Sequence, residues 1–124
     1  MIDSIKGTLV KKNPTSVIID VGGIRLGIPI TLATFEKIPD PNQPVELMTY
    51  LHVREDIMEL YGFYDDYERD VFMQLNSISG IGPRSAMNIL SGTDPIAFKK
   101  KIIDSDVASL TSIPGIGTKT AKRI

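Results

Sequence analysis

Two glycine-isoleucine-glycine turns, Gly80-Ile81-Gly82 and Gly115-Ile116-Gly117, stand thirty-five residues apart in a chain of 124 residues. The first sits in "SGIGPRSAMNIL" and the second in "PGIGTKTAKRI". Each leads into a run of small residues with helical character, and a cation follows a turn later, Arg84 in one copy and Lys119 in the other. Two glycines around one apolar residue let the backbone turn tightly. They also leave uncovered the amides of the turn and of the next helix's first turn, which point at one spot where the helix dipole is positive. A phosphate oxygen is the ligand such a spot takes, and the neighbouring cation adds charge beside it. The isoleucine is expected to tuck into the core and pin the turn. This is recognition of a phosphate backbone without base reading, and paired copies can grip two phosphate sites, one on each strand across a minor groove. The candidate contacts are Ser79, Gly80, Ile81, Gly82, Arg84 and Ser85 in the first copy. In the second they are Pro114, Gly115, Gly117, Thr118, Lys119, Thr120, Lys122 and Arg123.

Other phosphate chemistry fits less well. "GIGTKT" lacks the glycine-lysine-serine/threonine order of a nucleotide-binding loop, and no third glycine or preceding strand makes a dinucleotide site. Cysteine is absent and His52 is the single histidine. That argues against disulfides, thiolate metal sites, iron–sulfur clusters, thiol nucleophiles and a Ser-His pair. No catalytic residue, metal or cofactor is expected. The triplet Lys99, Lys100, Lys101 reads as a basic helix face that is at least partly only solvated.

Net charge is −1, which at first opposes a nucleic-acid partner, but the charge is unevenly spread. Residues 1–63 carry six cations against eight anions, whereas residues 71–124 carry seven against three. A basic half beside an acidic half suits a polyanion held by one face only. Apolar runs fall far short of the roughly 20 residues a bilayer span needs. "MIDSIKGTLV" has no basic segment before an apolar core, so it does not read as a signal peptide. A cytoplasmic protein with no membrane partner is expected.

The elements that must position these residues divide by period. Val17, Ile19 and Val21 alternate up to Gly22-Gly23, and Ile24, Leu26 and Ile28 alternate away from it, which predicts a tight hairpin. "IKGTLV" alternates before it, "TLATFEKI" is a short helix after Pro29, and "PDPNQP" is a loop. Val45, Leu47, Thr49, Leu51 and Val53 share one face of a further strand, with "IMELYGFY" as its partner. Five short strands and one small helix predict a closed or partly closed barrel, of OB type with an SH3-like barrel as the competing pattern. Beyond it, Val71, Phe72, Leu75 and Ile78 fall at helical spacing. Pro83 stands at a helix start and Gly92 at its end, and Asp94-Pro95 and Ser105-Asp106 open later helices. The fold class expected is α+β in two domains: a five-stranded barrel over residues 1–63 and an all-α region with two helical hairpins over residues 64–124.

The repeated turns resemble paired helix-hairpin-helix motifs. A small barrel followed by such a pair, joined through "HVREDIMELYGFYDDYERDVFMQL", closely resembles the RuvA family across essentially the whole chain. "VREDIMELYGF" is the most specific stretch, supported by "SGIGPRSAMNILSG" and "IPGIGTKTAKRI". The resemblance implies an OB-fold domain, a helix-hairpin-helix domain and a four-fold homotetramer, with an octamer on DNA as a further form. It also implies an open four-way (Holliday) junction as ligand, in recombination and repair. In that family a third, C-terminal domain contacts the motor subunit RuvB. This sequence stops at Ile124, ahead of where such a domain would lie, so the expectation is a chain without it.

The resemblance also gives a role to Arg54-Glu55-Asp56. From the residues alone they are a solvated turn between strands, made of a poor pair for a tight hairpin. The RuvA pattern implies that Glu55 and Asp56 form an acidic pin near the tetramer axis, repelling phosphates at the crossover, with Arg54 against a backbone phosphate. Two other readings stay open. "IPGIGTKTA" also resembles the hairpin of base-excision glycosylases, and the barrel alone suggests a single-strand or duplex DNA-binding module. The barrel half, however, offers only Phe35, Tyr50, Tyr61 and Phe63 as stacking platforms.

Overall fold

The computed structural model describes residues 2–92 and residue 100. The described chain begins with three antiparallel strands, β1 (Ser4–Asn13), β2 (Ser16–Val21) and β3 (Ile24–Pro29). Helix α1 (Leu32–Lys37) follows, then the hairpin β4 (Pro44–Val53) and β5 (Met58–Phe63). Helices α2 (Asp66–Asn76) and α3 (Pro83–Gly92) complete the described elements. By contact density the chain divides into two compact units, Met1–Arg69 and Asp70–Ile124, so that α2 crosses the boundary.

The turn between β2 and β3 is where glycine is required by conformation. Gly22 and Gly23 have φ of 62° and 94°. Two successive positive φ values give a hairpin turn whose twist matches the strands it joins. Asp20 Oδ1 accepts the Gly23 amide at 2.9 Å and closes it.

The sheet order is β3-β2-β1-β4-β5. Its edges approach one another, because Ile30, just past β3, forms a parallel bridge with Gly62 of β5. The result is a curled half-barrel of OB type. Its interior is filled by the alternate residues of each strand: Ile5 and Leu9, Val17 and Ile19, Ile28 and Ile30, Val45 and Leu47. Gly62 is a glycine because the closure leaves no room. A Cβ there would lie 2.9 Å from both Ile28 Cγ2 and Leu47 Cδ1. Helix α1 caps itself, with Thr31 Oγ1 accepting the Thr34 amide at 3.1 Å and Ile38 N donating to Thr34 O at 3.1 Å.

Strand β4 departs in part from its sequence pattern. Val45, Leu47 and Thr49 are buried, but Leu51 is only half-buried and Val53 is exposed. The pairing explains this. The β1 ladder ends at Ser4 opposite Met48, with one more bond from Thr49 N to Asp3 O at 2.9 Å. Beyond it β4 pairs only with β5, as far as Val53 opposite Met58. Period two persists in this ribbon, but its inner face no longer has a barrel to fill. On its other face Tyr50 and His52 stack at 6.3 Å, opposite Tyr61 and Glu59.

In the second unit the helical spacing read from the sequence holds for α2 as far as Leu75, whereas Ile78 lies past the helix end and is half-buried. Val71, Phe72 and Leu75 are buried there, as are Ala86, Met87, Ile89 and Leu90 of α3.

Candidate nucleic-acid interface

The first glycine turn lies between α2 and α3. The end of α2 tightens into short turns, with Ile78 N donating to Leu75 O and Ile81 N to Ile78 O, each at 3.0 Å. Gly80 has φ of 93°, a left-handed conformation that a β-carbon would strain. Ile81 is 5% exposed, so its side chain is buried as the sequence leads one to expect. Pro83 then begins α3, where its missing N–H costs nothing. The first helical bond runs from Ala86 N to Gly82 O at 2.9 Å. Ser79, Gly80, Gly82 and Arg84 are all exposed and Ser85 is half-buried.

Gly82 differs from the sequence expectation in an instructive way. It has no positive φ, and a Cβ built on it meets nothing within 4 Å among the described residues. Nothing among the described residues therefore requires glycine there. A glycine at that position leaves the backbone bare at the start of α3.

The second turn, with Pro114, Gly115, Gly117, Thr118, Lys119, Thr120, Lys122 and Arg123, lies outside the described residues, as do Lys99 and Lys101. Lys100 is helical and exposed.

Arg54, Glu55 and Asp56 occupy the tip of the β4–β5 ribbon. Arg54 N donates to Ile57 O at 2.8 Å and Ile57 N to Arg54 O at 3.4 Å, leaving Glu55 and Asp56 as a two-residue turn. Among the described residues only Asn42 combines a side chain with positive φ. The tip is therefore not one of the primed turns that suit the strand twist. Arg54 Nη1 donates to Val53 O at 3.0 Å. Glu55 and Asp56 are exposed and have no hydrogen-bond or ion-pair partner among the described residues. The apolar neighbours Val53, Ile57 and Met58 are exposed beside these two adjacent carboxylates.

Sequence reasoning passes over one buried group. Glu68, in the first turn of α2, is 3% exposed, and burial pushes its carboxyl above the ordinary 4.5. The signal available was Asp65-x-x-Glu68, which reads simply as a helix start.

An OB-type half-barrel leading into helices that meet at a bare glycine turn defines a two-part architecture suited to a polyanion. Residues 1–62 match the family model described as the RuvA N-terminal domain, and residues 72–124 match the SAM-like helix-hairpin-helix tandem. The chain is 44% identical over its whole length to the Holliday junction branch migration complex subunit RuvA of Thioalkalivibrio sulfidiphilus. It is also 44% identical to the protein of that name in Cytophaga hutchinsonii and 40% identical to that of Coxiella burnetii. In each case the chain spans 62% of the relative's length. The chain belongs to the RuvA family. Among the described residues no helix is long and apolar enough to cross a membrane.

Proposed function

We propose that this chain binds four-way DNA junctions through the sugar-phosphate backbone and holds them open for branch migration driven by a partner ATPase, RuvB. The observation that carries this is the match across the whole chain to relatives named as Holliday junction branch migration complex subunits. The division of labour is a barrel domain over residues 1–63 and a tandem hairpin domain over residues 64–124. Amides at Gly80–Gly82 and Gly115–Gly117 hold phosphates at helix N-termini, and Arg84, Lys119, Lys122 and Arg123 add charge-assisted contacts. Such contacts carry no base information.

The tip carboxylates act in the opposite sense. Four copies arranged about a four-fold axis place one subunit on each arm, a cyclic assembly that matches the symmetry of the ligand. Glu55 and Asp56 then gather at the axis, and their repulsion of phosphate keeps strands apart at the crossover while the hairpins grip the arms. A junction held firmly by its arms and loosely at its centre can migrate. The chain carries no strand-cutting or nucleotide-hydrolysing role in this scheme, and it works in the cytoplasm.

The test uses two immobile junctions of unrelated sequence, with a single strand of equal length as competitor. Equal affinity for both junctions, falling with salt, and weak competition by the single strand are expected. A marked preference between the two sequences, or a single strand that competes as well as a junction, overturns the reading. Sedimentation should give a tetramer at micromolar concentration, and a monomer there removes the four-fold arrangement.

A further inference from the structure

The buried Glu68 stands at a meeting point of three elements. Its Oε1 accepts the Thr31 hydroxyl at 2.9 Å and the Thr34 hydroxyl at 2.5 Å. Each hydroxyl oxygen is itself engaged by a backbone amide. Thr31 Oγ1 accepts from Thr34 N at 3.1 Å, and Thr34 Oγ1 accepts from Tyr64 N at 3.0 Å. With that side of each oxygen occupied, the hydroxyl protons point to the carboxyl. Two relays of amide, hydroxyl and carboxyl thus converge on one oxygen. They tie together the N-cap of α1, the residue that follows β5, and the first turn of α2.

Helix α2 has its cap from elsewhere, because Asp65 Oδ1 accepts the Glu68 amide at 2.9 Å. The Glu68 side chain is therefore not needed for capping its own helix. Arg69 holds the same turn from another side. Its Nη1 donates to Asp3 O at 2.8 Å, and its two terminal nitrogens pair with Asp3 and Asp66 at 3.1 and 3.0 Å.

The charge on Glu68 is a liability rather than the reason for its presence. Desolvation raises its pKa and the Asp65 carboxylate adds to that, while the two threonine hydroxyls and Lys37 oppose it. Lys37 is half-exposed and lies 4.0 Å from Asp65. A carboxyl kept where ionisation is penalised is kept for what its oxygen holds.

We propose that Glu68 is a positioning residue, whose carboxyl oxygen, received by Thr31 and Thr34, fastens the first turn of α2 to the N-cap of α1 and to the end of β5, and so holds the start of the helix that continues toward the Gly80–Gly82 turn. The functional consequence rests on the junction-binding reading above. With the joint fixed, α2 stays formed from its first turn and the hairpin at its far end keeps its grip on phosphate. With the joint loose, the hairpin still meets phosphates on a simple duplex, and the preference for junctions falls.

The experiment compares the full chain with Glu68→Ala and Glu68→Gln by amide hydrogen exchange and by junction and duplex affinity. Glu68→Ala should speed exchange in the first turn of α2 by roughly tenfold or more. Barrel-core amides such as those of Leu9 and Ile19 should keep their protection, and the ratio of junction to duplex affinity should drop. Glu68→Gln keeps an acceptor oxygen in the same place and should restore both. Thr34→Val removes one relay while keeping the shape, and should give the same direction of change if the alanine variant does not fold. Wild-type protection of that turn in Glu68→Ala or, where that variant does not fold, in Thr34→Val, overturns the proposal, as does a glutamine variant that behaves like the alanine one. If the wild-type chain shows no preference for junctions, the functional reading fails instead, and the exchange result still decides whether Glu68 fastens the joint.

Discussion

Replacing Gly82 with alanine should strengthen the fold and weaken DNA binding in the same molecule. A Cβ at this position meets no atom of the described residues within 4 Å, and the backbone there is not left-handed. The substitution then acts mainly on the unfolded chain, whose freedom it reduces, for a gain of about 0.4–1 kcal/mol. For a domain of this size that is roughly 2–8 °C in Tm. The same methyl group stands at the mouth of α3, where the account places a phosphate oxygen against bare amides. Loss of one hydrogen bond to a charged group costs about 1.5–3 kcal/mol, or roughly 10- to 150-fold in affinity. Gly82→Val enlarges the obstacle and should bind more weakly still. Thermal melts and gel shifts on one preparation, at one salt concentration, read both effects. A variant that melts higher and binds as well as wild type would refute the claim that this turn receives a phosphate. A variant that melts well below wild type would refute the claim that the fold leaves the position free.

Gly62→Ala is the converse case: its methyl would press on Ile28 and Leu47, both fully buried, and should destabilise the barrel by about 1–3 kcal/mol, read as a lower denaturation midpoint. Stability should also depend on pH through Glu68. Its folded pKa is raised, so the folded state keeps that proton to higher pH than the unfolded state. The stability contributed by the protonated form is present below the ordinary 4.5 and is lost as pH rises through the folded value. Glu68→Gln should remove that decline from a series of melts across this window, and a decline of unchanged depth would show that another group causes it. Neutralising the tip with Glu55→Gln and Asp56→Asn removes repulsion and no partner, so melting should not change. Duplex binding should tighten more than junction binding, because an unparted duplex must cross the tip. An unchanged ratio of the two affinities at fixed salt would leave the tip without a role.

The barrel was legible because its interior imposes period two on residues that differ sharply in polarity. Val17, Ile19 and Ile28 announce their faces, and Gly22-Gly23 announces the turn between them. Where β4 leaves the barrel the same period carries no burial, and Leu51 and Val53 cannot be told from core residues by pattern. The first hairpin was legible at the Gly80–Gly82 turn and at Pro83, because glycine and proline mark a turn and a helix start by sterics alone. Pattern could not distinguish the two glycines of that turn. Gly80 is needed by its left-handed backbone, whereas at Gly82 neither φ nor any neighbour among the described residues requires glycine, and only the three-dimensional structure shows the difference. Glu68 stayed hidden for a different reason. Its partners, Thr31 and Thr34, lie more than thirty residues away, and nothing local distinguishes a carboxylate that faces water from one that faces two hydroxyls. The tip pair was visible as an odd choice of turn residues, but its meaning came from the family resemblance rather than from the turn.

The most direct test of the central claim is the affinity of this chain for a four-way junction against a linear duplex of equal length and composition, at one salt concentration. The account predicts that the junction binds more tightly, with a ratio independent of arm sequence. Equal affinity for the two would contradict it.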